Sequence, residues 1–194
     1  MKKDIILSGV GGQGILSIAT VIGRAALEEG LQIKQAEVHG MSQRGGDVQS
    51  NLRISSSRID SDLIARGGAD LIISLEPMEA LRYLPWLSTG GWVITNTVPF
   101  VNIPNYPDAE ALQRELASLP HVVALDVDSL AKAAASPRSA NMVLLGAAAP
   151  FLGLEAGKFE QGIRAIFARK GDAVVEMNLA AFRAGYEQAK KQIR

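Results

Sequence analysis

The sequence predicts an α/β fold: a three-layer α/β/α sandwich on a mostly parallel, mixed sheet, closed by C-terminal helices. Three observations carry that prediction. Short apolar runs bounded by turn residues alternate with segments of helical period over the first two thirds of the chain. The opening segment reads as strand, glycine turn, helix and strand. From about Ser129 the pattern is mainly helical. A chain of 194 residues that is 47% hydrophobic can bury a core, and no internal repeat or low-complexity linker divides it, so residues 1–194 read as one domain.

Residues 4–8 read as a buried strand. Residues 13–29 follow as a helix, with Ile15, Ile18, Ile22, Ala25 and Ala26 on one broad apolar face and Gly30 at the stop. Residues 31–37 read as a second strand. This β–turn–α–β order favours a right-handed crossover and a parallel pair. In the next extended run Val48, Ser50, Leu52 and Ile54 alternate with polar residues, as in a strand with one wet face. Three serines then lead into Arg58, Ile59 and Asp60, read as a hairpin that adds an antiparallel piece. Strands are expected at 71–75, 92–96 and 122–126, and helices at 76–84 and 109–118. Pro99, Pro104 and Pro107 make 97–107 an extended surface segment. Farther on, Phe159, Ile163, Ile166 and Phe167 share one helix face. Val175, Leu179, Phe182, Tyr186 and Ile193 follow helical spacing in the last helix, with Asp172 placed as its N-cap.

Composition removes several function classes. Lys plus Arg number 20 and Asp plus Glu number 20, so there is no basic excess for general nucleic-acid binding. With no cysteine, disulfides, a thiol nucleophile and a Cys-ligated iron–sulfur cluster in this chain are excluded. His39 and His121 are the only imidazoles, which argues against an internal His-rich zinc site. The apolar run 142–154 is too short to span a bilayer and contains Pro150. The two N-terminal lysines precede only a short apolar run, unlike a signal peptide, so the expected address is the cytoplasm and no membrane partner is expected.

Two clusters can carry chemistry. The first is the turn ILSGVGGQGI, in which Gly9, Gly11 and Gly14 form G-x-G-x-x-G between a strand and a helix, with Gly12 and Gln13 between them. Its helix N-terminus suits a phosphate, and the glycines equally allow close packing with nothing bound. Glu37, 23 residues beyond Gly14, stands where a ribose-binding acid sits in a dinucleotide fold. The second cluster is EVHGMSQRGG, which gathers Glu37, His39, Ser42, Gln43, Arg44, Gly45 and Gly46 just past the second strand. Arg44, next to Gly45 and Gly46, can reach a phosphate or carboxylate with two donors. A surface salt bridge for Arg44 and a loop role for His39 are the plainer readings of each residue alone. Together with the glycine turn they mark a ligand site or a partner interface, with both loops on one surface at the C-terminal edge of the sheet. No G-x-S-x-G elbow and no G-x-x-x-x-G-K-[ST] loop occurs. Glu76 and Glu79 read as the solvated face of a short helix, Asn141 and Asn178 as cap or packing groups, and Trp86 and Trp92 as core and rim.

The segments GVGGQGI, AEVHGMSQRGGDVQSNLRIS and ADLIISLEPMEALRYLPWL, with MNLAAFRAGYE near the end, resemble the gamma-type domain of the 2-oxoacid:ferredoxin oxidoreductases, most closely the indolepyruvate branch. The resemblance runs over nearly the whole chain, and the block at 37–46 is its most specific part. It implies a small subunit of a complex that oxidatively decarboxylates 2-oxoacids, among them indolepyruvate and other arylpyruvates, to acyl-CoA and passes electrons to ferredoxin. It also implies a large partner subunit holding thiamine diphosphate, magnesium and iron–sulfur clusters, because this chain has neither cysteines nor a G-D-G motif followed by paired asparagines. The glycine turn and Arg44 are then contacts for CoA or for the partner, and the isolated chain is expected to be inactive. Two rivals stand beside this reading: a free-standing NAD-binding dehydrogenase, resting on the glycine fingerprint and Glu37, and a purely structural assembly subunit.

Overall fold

The computed structural model describes residues 1–39 and 45–193, with the side chain of His39 outside the description. Among the described residues six strands form one sheet: β1 (Lys2–Val10), β2 (Gln32–His39), β3 (Asp47–Ser55), β4 (Ala69–Ser74), β5 (Leu87–Asn96) and β6 (Val122–Leu125). Their order across the sheet is β2-β3-β1-β4-β5-β6. The right-hand half is parallel, β1 to β4 to β5 to β6. Strand β3 is antiparallel to both of its neighbours, β1 and β2.

That arrangement corrects one expectation. β1 and β2 run in the same direction but are not neighbours, because β3 lies between them and bonds to both. The short link from β2 to β3 keeps those two adjacent. The one-sided alternation of β3 then fits it into the interior, where Leu52 and Ile54 are fully buried. β3 is therefore the antiparallel piece of the sheet, and the expected hairpin at Arg58–Ile59–Asp60 is absent: residues 58–61 carry no strand.

Among the described residues seven α-helices cover the sheet: α1 (Ile15–Glu28), α2 (Pro77–Arg82), α3 (Ala109–Ser118), α4 (Val127–Ala134), α5 (Ala140–Ala148), α6 (Ala156–Phe167) and α7 (Asp172–Gln192). The larger core joins Ile5, Leu7 and Ile73 to apolar residues of α1, α4, α5, α6 and α7 on one face. On the other face Ile6, Ile72 and Val93 pack with Ala80 and Tyr83 around α2. The alternation of Ile5, Ile6 and Leu7 between faces is the period-two geometry of a central strand buried on both sides. Asp172 is not the cap of α7 but its first residue. The cap is Gly171, with φ 92°, a conformation that an aspartate adopts poorly. No described helix is long and apolar enough to cross a membrane.

Candidate functional site

The β1–β3 ladder runs to its last pair, Val10 opposite Asp47, so the turn after β1 meets the residues just before β3. The Gly11 amide donates to the Gly46 carbonyl at 2.8 Å, and the Gly45 amide donates to the Gly11 carbonyl at 3.3 Å. The two glycine clusters singled out in the sequence are thus hydrogen-bonded to each other. Gly9, Gly12 and Gly14 each have their own reason. A Cβ on Gly9 would stand 2.6 Å from Ile15 Cδ1, and one on Gly14 would stand 2.7 Å from Asn141 Nδ2. Asn141 Nδ2 in turn donates to the Gly14 carbonyl at 3.3 Å. Gly12 has φ 104°, with nothing among the described residues within 4 Å of its Cβ position. Any other residue there is strained by its backbone. Gln13 staples the turn: its Oε1 accepts from the Val10 amide at 2.8 Å and its Nε2 donates to the Leu75 carbonyl at 3.3 Å.

A cleft of about 410 Å³ opens beside this turn, lined by Val10, Gly11, Gly12, Gly14, Ile15 and Leu16 on one side and by Glu37 and Val48 on the other. Helix α1 begins at this cleft with Gly14 as its N-cap, no side-chain cap bond and no acidic residue in its first turn. Among the described residues no side chain caps its first turn, an arrangement that suits an anion. Gly40, Ser42, Gln43 and Arg44 lie outside the described residues, as does the His39 side chain.

The structure adds residues that the sequence reading assigned to solvent. Glu76 is fully buried and Glu79 is 3% exposed. Glu76 caps α2 by accepting from the Glu79 amide at 2.9 Å. It also accepts from the Phe100 amide at 3.3 Å and from the Tyr106 hydroxyl. The segment 97–107 is thereby strapped over α2, and Asn102 Nδ2 reaches from it to the Gly45 carbonyl at 2.6 Å. Glu79 takes two bonds from Arg82, at 2.7 and 3.3 Å. Asp47, the first residue of β3, accepts from the Tyr83 hydroxyl at 2.8 Å. Both flanks of the glycine pair Gly45–Gly46 are therefore anchored to α2, one through the strap and one through Asp47. A sequence signal existed: Pro77 suits the first helical position, which puts Glu76 at the N-cap, and Glu79 shares a helix face with Tyr83 four residues on.

Burial, together with the negative charge of Asp47, pushes the Glu79 carboxyl up to about 6 against the pull of Arg82. Burial and the bond to Asp47 push the Tyr83 hydroxyl above the usual tyrosine range. For Glu79 the folded value exceeds the ordinary 4.5, so its protonated form favours the fold. That contribution is full below 4.5 and is lost as pH rises through about 6. The expected loss is about 2 kcal/mol, and Glu79→Gln should flatten the dependence in that window. Denaturant midpoints measured across this range check it; equal slopes in both proteins would refute the assignment.

The comparisons with known proteins agree with this architecture. The indolepyruvate oxidoreductase subunit IorB of Archaeoglobus fulgidus is 37% identical over 97% of this chain and 96% of its own length. The gamma subunit of a keto/oxoacid ferredoxin oxidoreductase from Geobacter sulfurreducens superposes with a TM-score of 0.71 at 26% identity, covering 97% of this chain and 99% of that one. A 2-oxoglutarate:ferredoxin oxidoreductase from Magnetococcus marinus, solved with 2-oxoglutarate, coenzyme A and succinyl-CoA bound, shares the fold at a TM-score of 0.77 and 23% identity. There the similarity covers 98% of this chain but 31% of that longer one. Residues 4–188 match the family described as pyruvate ferredoxin/flavodoxin oxidoreductase, and with the full-length relatedness above, the chain belongs to that family.

Proposed function

We propose that the chain is the small subunit of a 2-oxoacid:ferredoxin oxidoreductase acting on arylpyruvates such as indolepyruvate. CoA is the acyl acceptor and ferredoxin the electron acceptor. A large partner subunit brings thiamine diphosphate, magnesium and iron–sulfur clusters, the groups that supply the carbanion and electron chemistry. The observation that carries this reading is the end-to-end relatedness to an indolepyruvate oxidoreductase subunit. In this reading the surface formed by Gly9, Gly11, Gly12, Gln13, Gly14, Glu37, His39, Ser42, Gln43, Arg44, Gly45 and Gly46 binds CoA or the partner. The Gly11–Gly46 pairing and the adjoining cleft support one continuous surface.

The sheet order speaks against the NAD reading. In a dinucleotide fold the acid at the end of the second strand reaches the ribose from the strand beside the glycine turn. Here β3 intervenes, which sets the Glu37 strand a further 4.8 Å or so away. The test is co-expression with the large subunit, followed by arylpyruvate-dependent dye reduction with and without CoA. Activity is expected only in the complex and only with CoA as acceptor. NAD-linked turnover by this chain alone would overturn the proposal.

A further inference from the structure

Four of the ten large apolar side chains exposed among the described residues fall within one short stretch: Val98, Phe100, Val101 and Ile103. Val101 is 69% exposed. The stretch leaves β5 at the carboxyl edge of the sheet. Val38, at the end of β2, adds a fifth at the same edge. It pairs with Gln49, two positions from Asn51, and Asn51 pairs with Ile6 of the core around α2. Val38 therefore projects from the same face of the sheet that α2 and the strap occupy. Helix α2 packs on β1, β4 and β5, which leaves Val38 56% exposed. Apolar side chains scattered singly over a surface need no explanation, whereas a concentration of them marks an interaction site.

The stretch is also held still. Asn96 Nδ2 donates to the Val98 carbonyl at 3.3 Å, and Asn96 Oδ1 accepts from the Val98 amide at 3.2 Å. Glu76 accepts from the Phe100 amide and the Tyr106 hydroxyl, and Asn102 donates to the Gly45 carbonyl. Pro99, Pro104 and Pro107 restrict the backbone further. Burying the Glu76 carboxylate is costly, and two of its bonds serve to fix a segment that leaves its apolar side chains in water. Side chains presented on an ordered backbone lose less entropy when a partner covers them.

Chain length and charge indicate the occupant. In the Magnetococcus marinus enzyme the matching domain is 31% of a longer chain, so a covalent tether keeps the remainder beside it. In the present chain the domain runs from end to end, and a partner must be held by an interface. A stable one buries about 1,000 Å² or more around an apolar centre. No Lys or Arg occurs between Arg82 and Arg114, and exposed Asp108 and Glu110 follow the strap. The complementary surface is apolar with a basic rim. A second copy of this chain fits poorly, because a two-fold contact would set both pairs of acids around one apolar patch.

We infer that residues 98–103, together with Val38, are the face on which the large subunit docks. The inference rests on the proposed two-subunit complex and names the part of this chain that holds it together. Binding of the full chain to the purified large subunit tests it by calorimetry, without turnover. Val101→Asp should weaken the complex by about thirtyfold or more, the scale of a lost interface anchor, and Phe100→Ala by about tenfold. Leu27→Asp, on an equally exposed side chain at the far end of α1, should leave affinity unchanged. Glu110→Lys should slow association at low salt. Hydrogen exchange needs no variant: the amides of 98–103 should be slower in the complex than in the free chain. Equal affinity of the parent and Val101→Asp, or exchange in 98–103 that the large subunit leaves unchanged, overturns the assignment while the complex itself stands. A parent chain that does not bind the large subunit overturns the proposed function and this inference with it. A dimer of the chain alone that Val101→Asp abolishes, with large-subunit binding intact, would assign the strap to self-association instead.

Discussion

Gly146→Ala and Gly185→Ala are each expected to destabilise the chain by about 3 kcal/mol, a large part of what holds a domain together. Helices α5 and α7 cross with their backbones in contact. A Cβ on Gly146 would overlap the Phe182 carbonyl oxygen, and one on Gly185 would overlap the Val143 carbonyl oxygen. Neither obstacle is a side chain that can rotate away, so the helices must separate. That separation opens the core around Val143, Leu179 and Phe182, all buried. In an unconstrained helix the same substitution would stabilise by about 1 kcal/mol, so the sign itself is diagnostic. Gly157 in α6, with nothing within 4 Å of its Cβ position, provides the control and should tolerate alanine. The double variant should cost less than the sum, because one displacement relieves both overlaps. Denaturant midpoints decide the matter: a Gly146→Ala protein as stable as the parent would show that the helices are not locked here.

What the sequence made legible follows from the range of the forces involved. The glycine turn and its helix are written in residues 6–15, where backbone freedom and apolar period act locally, and β1 and α1 stand where they were expected. The same holds for α3, whose observed span Ala109–Ser118 matches the expected one. The meeting of the glycine turn with Gly45–Gly46 was expected as a shared surface, but its cause is different. Those residues touch because β3 was inserted beside β1, a long-range choice that period-two patterning cannot reveal. Gly146 stood inside a run read only as apolar, since a helix–helix contact depends on a partner some 40 positions away. Glu76 and Glu79 were misassigned because charge usually means exposure; the strap at 97–107 supplies donors to Glu76 and Arg82 supplies them to Glu79, which makes their burial tolerable.

Glu76→Ala is expected to have the other large effect, and it should reach the candidate site as well as stability. The substitution leaves the buried Glu79 amide and the partly buried Phe100 amide and Tyr106 hydroxyl without their acceptor. Each orphaned group costs on the order of 1–3 kcal/mol, less where the strap can swing out and find water, so a net loss of about 3 kcal/mol is expected. Tyr106→Phe removes one of the three bonds and should cost about 1 kcal/mol. The distinguishing readout is local. Val98, Phe100, Val101 and Ile103 already expose much of their apolar surface; Asn96 holds Val98, and Glu76 and Asn102 hold the segment beyond it. Released from Glu76, the segment should become a site of limited proteolysis under conditions where the rest of the chain stays intact. Because Asn102 ties the strap to Gly45, the same variant in the reconstituted complex should raise the CoA concentration needed for half-maximal turnover more than it lowers the maximal rate. A strap that stays resistant to protease in Glu76→Ala, with unchanged stability, would mean that the buried carboxylate is not its anchor.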